Sequence, residues 1–209
     1  MNRIDQALAR ARGEKRAALI VFVTAGDPDL ATTAELIPEL AAAGADVIEL
    51  GIPHSDPIGE GPTIQVSSQR ALAKRTSLSQ ILDLVRSVRA VSDVPLVLMG
   101  YLNNVLAYGE ERLARDAAAS GADGLIVSDV PFEETAILSR ACAEHGVQRV
   151  LLVSPTSTPE RTVRIAAASR GFVYCVSVTG VTGARRELPA DLEQLVARIR
   201  RVTTTPVCV

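Results

Sequence analysis

"AAAGADVIELGIP", residues 41–53, carries the plan on which the fold turns, because that plan returns twice. It recurs as "AASGADGLIVSDVP" (118–131) and as "ACAEHGVQRVLLVSP" (141–155). In each copy, small residues close a helix, a glycine ends it, a short turn follows, and an apolar strand runs into proline. Repetition of one helix–strand unit favours a (β/α) barrel over a doubly wound sheet.

Working outward, six apolar runs read as strands: "ALIVFVT" (18–24), "DVIELG" (46–51), "PLVLMG" (95–100), "DGLIVSD" (123–129), "RVLLVS" (149–154) and "GFVYCVS" (171–177). Such nearly unbroken runs suit parallel strands buried on both faces. Helical patterns lie between them, among them 30–43, 79–90, 133–144 and 191–201, with Pro38 expected to kink the first. "TTTPVCV" (203–209) reads as a seventh strand just beginning. A closed barrel of this type has eight strands. The expectation is therefore one domain over 1–209: an α/β chain of the (β/α)8 TIM type, truncated after about six βα units and the start of strand seven.

The 209 residues carry a net charge of −2, which gives no reason to expect a polyanionic partner. With three Phe, three Tyr and no Trp, a base-stacking platform for single strands is not expected either. No apolar run approaches a membrane span. The opening "MNRIDQALARARGEKRA" (1–17) spaces Ile4, Leu8 and Ala11 as a short amphipathic helix and lacks the apolar stretch of a secretion signal. Cys142, Cys175 and Cys208 show no disulfide or zinc spacing, which favours a reducing, cytoplasmic setting.

In a barrel, the loops after the strands gather on one face, and chemistry sits there. Glu49 alternates with Ile48 and Leu50 within the second strand, so its side chain is expected inside the barrel mouth. A carboxylate buried there without a cation keeps its proton to a higher pH, which suits a general acid–base; the bland alternative is a carboxylate bonded into the core. Asp56 and Glu60 follow in a loop punctuated by Pro53, Pro57, Gly59, Gly61 and Pro62. Taken singly, loop acids are more often solvated or turn-capping than catalytic. The chain's two lysines, Lys15 and Lys74, lie away from the strand ends, which argues against Schiff-base or pyridoxal chemistry in this chain. His54 and His145 lie far apart, and Glu49, His54 and Asp56 match no metal-ligand spacing, so no metal is expected; His145, beside Gly146, reads as a helix-end residue. "SVTGVTGARRELP" (177–189) carries Gly180 and Gly183, an anion seat or an ordinary loop, with Arg185 and Arg186 beside it.

The stretches "FVTAGDPD", "GADVIELGIPHSDPIGEGPTIQ", "SDVPFEE" and "GVTG" resemble, in order, the α subunit family of tryptophan synthase. The resemblance implies a barrel lyase, without a cofactor of its own, that cleaves indole-3-glycerol phosphate to indole and glyceraldehyde 3-phosphate. It also implies an α2β2 assembly with a β subunit that uses pyridoxal phosphate. By resemblance, Glu49 is the principal proton shuttle and the acid at position 60 steadies the indole nitrogen. Phe22, Tyr101, Asp129 and Tyr174 match positions around the indole pocket. Thr182 matches a brace for the position-60 acid, and Gly183 a phosphate donor. Pro53, Asp56 and the segment "GYLNNVLAYG" (100–109), including Asn104, match the face toward the β subunit. The chain departs from the family in carrying Glu60 where the pattern has Asp. The added methylene shifts the carboxylate by roughly 1 Å, and a misplacement of that size costs ~10²-fold in rate. In the family, the loops after strands seven and eight supply much of the phosphate seat. Two alternatives stay open: an impaired α-like partner that only binds and activates a β subunit, and another phosphate-binding barrel enzyme, such as a metal-dependent epimerase.

Overall fold

The computed structural model describes residues 1–177 and 189–209. Helix α1 (Arg3–Gly13) leads into strand β1 (Ile20–Thr24), followed by α2 (Leu30–Ala42), β2 (Val47–Gly51), α3 (Pro62–Ala73), α4 (Leu78–Arg89) and β3 (Leu96–Gly100). Then come α5 (Leu102–Tyr108), α6 (Glu110–Ser120), β4 (Gly124–Val127), a 3-10 turn (Phe132–Glu134), α7 (Ala136–His145), β5 (Gln148–Arg149) and β6 (Leu151–Val153). Helix α8 (Pro159–Ala168), β7 (Val173–Cys175), α9 (Leu192–Arg200) and β8 (Val207–Cys208) complete the order.

Every strand pairs in parallel with its sequence neighbour, in the orders β1-β2-β3-β4-β5 and β6-β7-β8. The Val150 N–H, between β5 and β6, donates to the Leu125 carbonyl at 3.2 Å, so those two are halves of one strand. An order that never reverses is that of a barrel; a doubly wound sheet turns back on itself at a switch point. The expected start of a seventh strand is β8, in register with β7 through Val173 and Val207.

Some expectations shift. β1 is half-buried up to Thr24 rather than buried on both faces, and among the described residues only β2 pairs with it. Helix α2 runs through Pro38 to Ala42. Pro62, read as part of the loop, opens the first turn of α3, the position at which a missing N–H costs nothing. The helix expected over 133–144 divides into the 3-10 turn and α7. The last turn of α7 ends in His145, with Gly146 left-handed at φ 75°.

Alternation along each strand sorts the core into two layers. Ile48, Leu50, Leu96, Leu98, Leu125 and Val127 point out toward the helices. Val47, Val97, Ile126, Val150 and Phe172 point in, where Ile4 and Ala7 of α1 join them. Helix α1 thus plugs the floor of the barrel: Ile4 is fully buried and lies directly over Gly124 and Gly171, where any Cβ would meet it.

The repeated "GAD" also repeats a contact. Asp46, one residue before β2, accepts hydrogen bonds from Arg16 Nη1 (2.6 Å), Arg16 Nη2 (2.8 Å) and the Leu19 N–H (2.9 Å). Asp123, one residue before β4, accepts from Arg89 Nη2 (2.7 Å), Arg3 Nη1 (3.1 Å) and the Leu96 N–H (2.9 Å). Each acid thereby ties the preceding strand and an arginine to the floor. The hydrogen bonds from Arg16 hold the Asp46 carboxyl down at about 2. The ordinary value is 3.8, so the unfolded chain takes up this proton first as pH falls. The stability it contributes is complete above about pH 4 and disappears toward pH 2. Urea midpoints measured from pH 5 down to 2.5 should fall more steeply for the wild type than for Asp46→Asn; parallel curves would remove Asp46 from that role.

Candidate active site

Strand β2 places Glu49 on the inner face, opposite Ile48 and Leu50. Its neighbours in register are Phe22 on β1 and Val97 on β3. Gly51, one step further along that face, leaves room for the Phe22 ring, which a Cβ would strike. The Glu49 side chain is 3 % exposed, and its Oε1 is buried without a hydrogen-bond partner among the described residues. Burial first, and the negative charge of Glu60 second, push its carboxyl up to about 7. An orphaned carboxyl oxygen in a strand interior is costly unless it holds a proton or meets a ligand.

Glu60 reaches the same space from the loop before α3 and is itself buried. The loop is shaped by its own backbone: the Glu60 N–H donates to the Pro57 carbonyl (2.9 Å), and Gln65 Nε2 donates to the Glu60 carbonyl (2.9 Å). The Tyr101 hydroxyl accepts from the Gly59 N–H at 3.3 Å, and its ring lies 4.6 Å from that of His54. Burial and then the Glu60 charge raise the Tyr101 phenol. Tyr174 on β7 faces inward; burial, then Glu49, raise its phenol. Glu49 and Glu60 thus lie near enough for one to act on the other and for both to act on Tyr174.

The structure therefore gathers Phe22, Glu49, Glu60, Tyr101 and Tyr174. Asp129 stands at the rim, exposed, its Oδ1 accepting from the Leu102 N–H at the start of α5 (2.8 Å). Asn104 is half-buried, and its Oδ1 accepts from the Tyr101 N–H (3.2 Å), so it caps the helix on which it sits. Of the residues matched to a partner face, Asp56 is exposed while Pro53 is buried within this chain. Thr182 and Gly183, with Gly180, Arg185 and Arg186, lie outside the described residues. Among the described residues, no three His, Cys, Asp or Glu side chains gather as a cation site.

One inward residue escaped the sequence reading. Cys208 lies beside Tyr174 in register, and burial followed by the Glu49 charge pushes its thiol up to about 12. Counting cysteines for pairing hid it; the alternation of Val207 out and Cys208 in is the signal that finds it.

Fold and site together define a (β/α)-barrel enzyme with two buried acids, Glu49 within its second strand and Glu60 beyond the end of it. A family model described as "Tryptophan synthase alpha chain" matches residues 8–209. The chain belongs to that family, whose members are carbon–carbon lyases of tryptophan biosynthesis, cleaving indole-3-glycerol phosphate to indole and glyceraldehyde 3-phosphate. It is 53 % identical over 210 residues to the tryptophan synthase alpha chain of Geobacter sulfurreducens, covering 100 % of this chain and 79 % of that one. Against the alpha chain of Pelobacter propionicus it is 49 % identical over 207 residues, covering 99 % and 78 %. Among solved structures, Mycobacterium tuberculosis tryptophan synthase superposes with a TM-score of 0.91 at 38 % identity, covering 99 % of this chain and 79 % of that one. The Legionella pneumophila alpha chain superposes at 0.89 with 36 % identity, covering 99 % and 76 %.

Proposed function

We propose that Glu49 is the proton shuttle of indole-3-glycerol phosphate cleavage and Glu60 the acceptor for the indole N–H. The observation that carries this reading is the Glu49 carboxyl, buried, without a partner at Oε1 among the described residues and poised at about 7 beside a second carboxylate. Cleavage requires carbon 3 of the indole to gain a proton and the glycerol hydroxyl to lose one. Protonated Glu49 delivers to carbon 3, and the resulting carboxylate takes the hydroxyl proton as the carbon–carbon bond breaks and the carbonyl forms. The bond electrons return to the ring, and Glu49 ends protonated, ready for another turnover. Positive charge passes through the indole nitrogen in between, and the Glu60 carboxylate stabilises it. Neither role calls for a cofactor in this chain.

Phe22, Tyr101 and Tyr174 form the walls of the indole pocket in this reading, and Asp129 stands at its rim. Thr182 is assigned to brace Glu60, and Gly183 to donate to the substrate phosphate. Asp56, with Pro53 and Asn104 behind it, belongs to the face that meets a β subunit carrying pyridoxal phosphate in an α2β2 assembly. A cytoplasmic setting is supported by three unpaired cysteines. Among the described residues, no helix is long and apolar enough to cross a membrane.

The pH dependence of indole release tests the assignment. The wild-type rate should turn on an ionisation near 7. Glu60→Gln should move that inflection to lower pH, because the charge that helps raise Glu49 is gone, and should lower the rate roughly 10²-fold. A flat wild-type profile from pH 6 to 8, or an inflection that ignores residue 60, would remove the carboxylate pair from the chemistry.

A further inference from the structure

Glu60 stands immediately before Gly61, the N-cap of α3, so the placement of α3 bears directly on that of Glu60. Helix α3 is gripped along one face by the end of β1 and the short segment that follows it. The Thr24 and Ser67 hydroxyls lie 2.7 Å apart, and Ser67 Oγ also donates to the Ile64 carbonyl (2.9 Å). One turn on, Arg70 Nε donates to Asp27 Oδ1 (2.7 Å) and Arg70 Nη2 to Asp27 Oδ2 (2.6 Å), a two-pronged pair. Just past the helix, Thr76 packs against Gly26, which is left-handed at φ 85° and has no space for a Cβ. The gripping segment is itself anchored: the Ala25 N–H donates to the Gly51 carbonyl at the end of β2 (2.9 Å), and the Gly26 N–H to Thr33 Oγ1 (3.0 Å). A short chain of fixed contacts thus runs from the strand of Glu49 to the helix that follows Glu60.

We propose that Asp27 and Arg70 are a positioning pair for the known reaction: their forked contact fixes α3 against the β1–β2 strand ends and so sets the distance between the Glu60 and Glu49 carboxylates. The proposal rests on the reading of Glu60 as a participant in the chemistry. The Arg70 side chain is 55 % exposed, and ion pairs at such exposure add little to stability. A planar guanidinium meeting a carboxylate through two parallel bonds nevertheless constrains orientation in a way that a single contact does not. Catalysis is far more sensitive to such a constraint than folding is, since a shift of about 1 Å costs roughly 10² in rate.

Arg70→Met in the full chain tests this, with indole release from indole-3-glycerol phosphate as the readout. The expected result is a kcat about tenfold lower, KM changed by less than about threefold, and a melting temperature close to wild type. Arg70→Lys, which keeps the charge and loses the fork, should fall between the two. The pH inflection of Arg70→Met should move in the same direction as that of Glu60→Gln. In the double variant the two losses should fail to multiply, because both act through one carboxylate. If Arg70→Met does not fold, the isosteric Asp27→Asn reads the same quantities. Wild-type kcat and inflection in Arg70→Met alongside an impaired Glu60→Gln would overturn the pair alone, as would fully multiplicative losses. A Glu60→Gln variant with wild-type rate and inflection would instead overturn the assignment of Glu60, and the pair with it.

Discussion

Glu49→Gln is expected to reduce indole release by about 10²–10⁴-fold, the range that a positioned acid–base contributes, while the folded protein becomes more stable at alkaline pH. The loss follows from geometry: the amide neither gives nor takes the proton that carbon 3 and the glycerol hydroxyl exchange. The gain follows from linkage. The Glu49 carboxyl holds its proton up to about 7 in the folded chain, against an ordinary value of 4.5. Between those two values the native state binds a proton that the unfolded chain has released, so raising the pH through that window favours unfolding. Above about 7 the penalty is constant, and at about 1.4 kcal/mol per unit it reaches about 3 kcal/mol. Glutamine carries no such penalty. Urea midpoints should place Glu49→Gln above wild type at pH 8, with the gap closing toward pH 5. Indole release equal to wild type would remove Glu49 from the mechanism. A stability gap independent of pH would remove the burial argument.

Asp123→Ala should destabilise the fold by about 3–5 kcal/mol, the usual consequence of stranding one partner of a buried pair. Arg89 is only 10 % exposed, and its Nη2 rests on the Asp123 carboxylate. Its other N–H groups donate to the carbonyls of Gly121 (2.8 Å), Ser92 (2.9 Å) and Val94 (2.7 Å), so the guanidinium cannot swing out to water without breaking three further bonds. Removing Asp123 leaves that charge in place without the carboxylate it contacts and strands the Leu96 N–H at the start of β3. Asp123→Asn, which keeps an acceptor for that N–H, should lose less. The measurement is equilibrium urea unfolding at pH 7, read from the midpoint at unchanged slope. A shift corresponding to less than about 1 kcal/mol would show that Arg89 finds water after all.

The barrel was legible because its evidence is local and repeated. Three copies of one helix–strand plan announced parallel strands in sequence order, and period-two alternation in "DVIELG" placed Glu49 inside. Sequence could not show that β1 is half-buried, since burial depends on what lies beside a strand and not on its own apolar run. The start of α3 was misread because Pro62 and its flanking glycines look like loop, although proline also suits a first helical turn. The resemblance named Glu60, but its approach to Glu49 depends on a fixed turn, 57–61, and a helix docked elsewhere. The Asp27–Arg70 contact joins residues 43 apart, which no periodicity reveals. Asn104 and Asp129, matched to a partner face and a pocket, also cap backbone N–H groups at α5, a local duty that spacing alone did not disclose.

The helix under the barrel has a consequence for biosynthesis. Ile4 leaves the ribosome well before its full socket exists, because Gly171 and Phe172 belong to it. Until Gly171 and Phe172 have been translated, that socket, begun by Val47, Val97 and Gly124, stays incomplete. The nascent chain therefore carries α1 with its apolar face only partly covered until then, and the last step of floor assembly waits on the sixth βα unit.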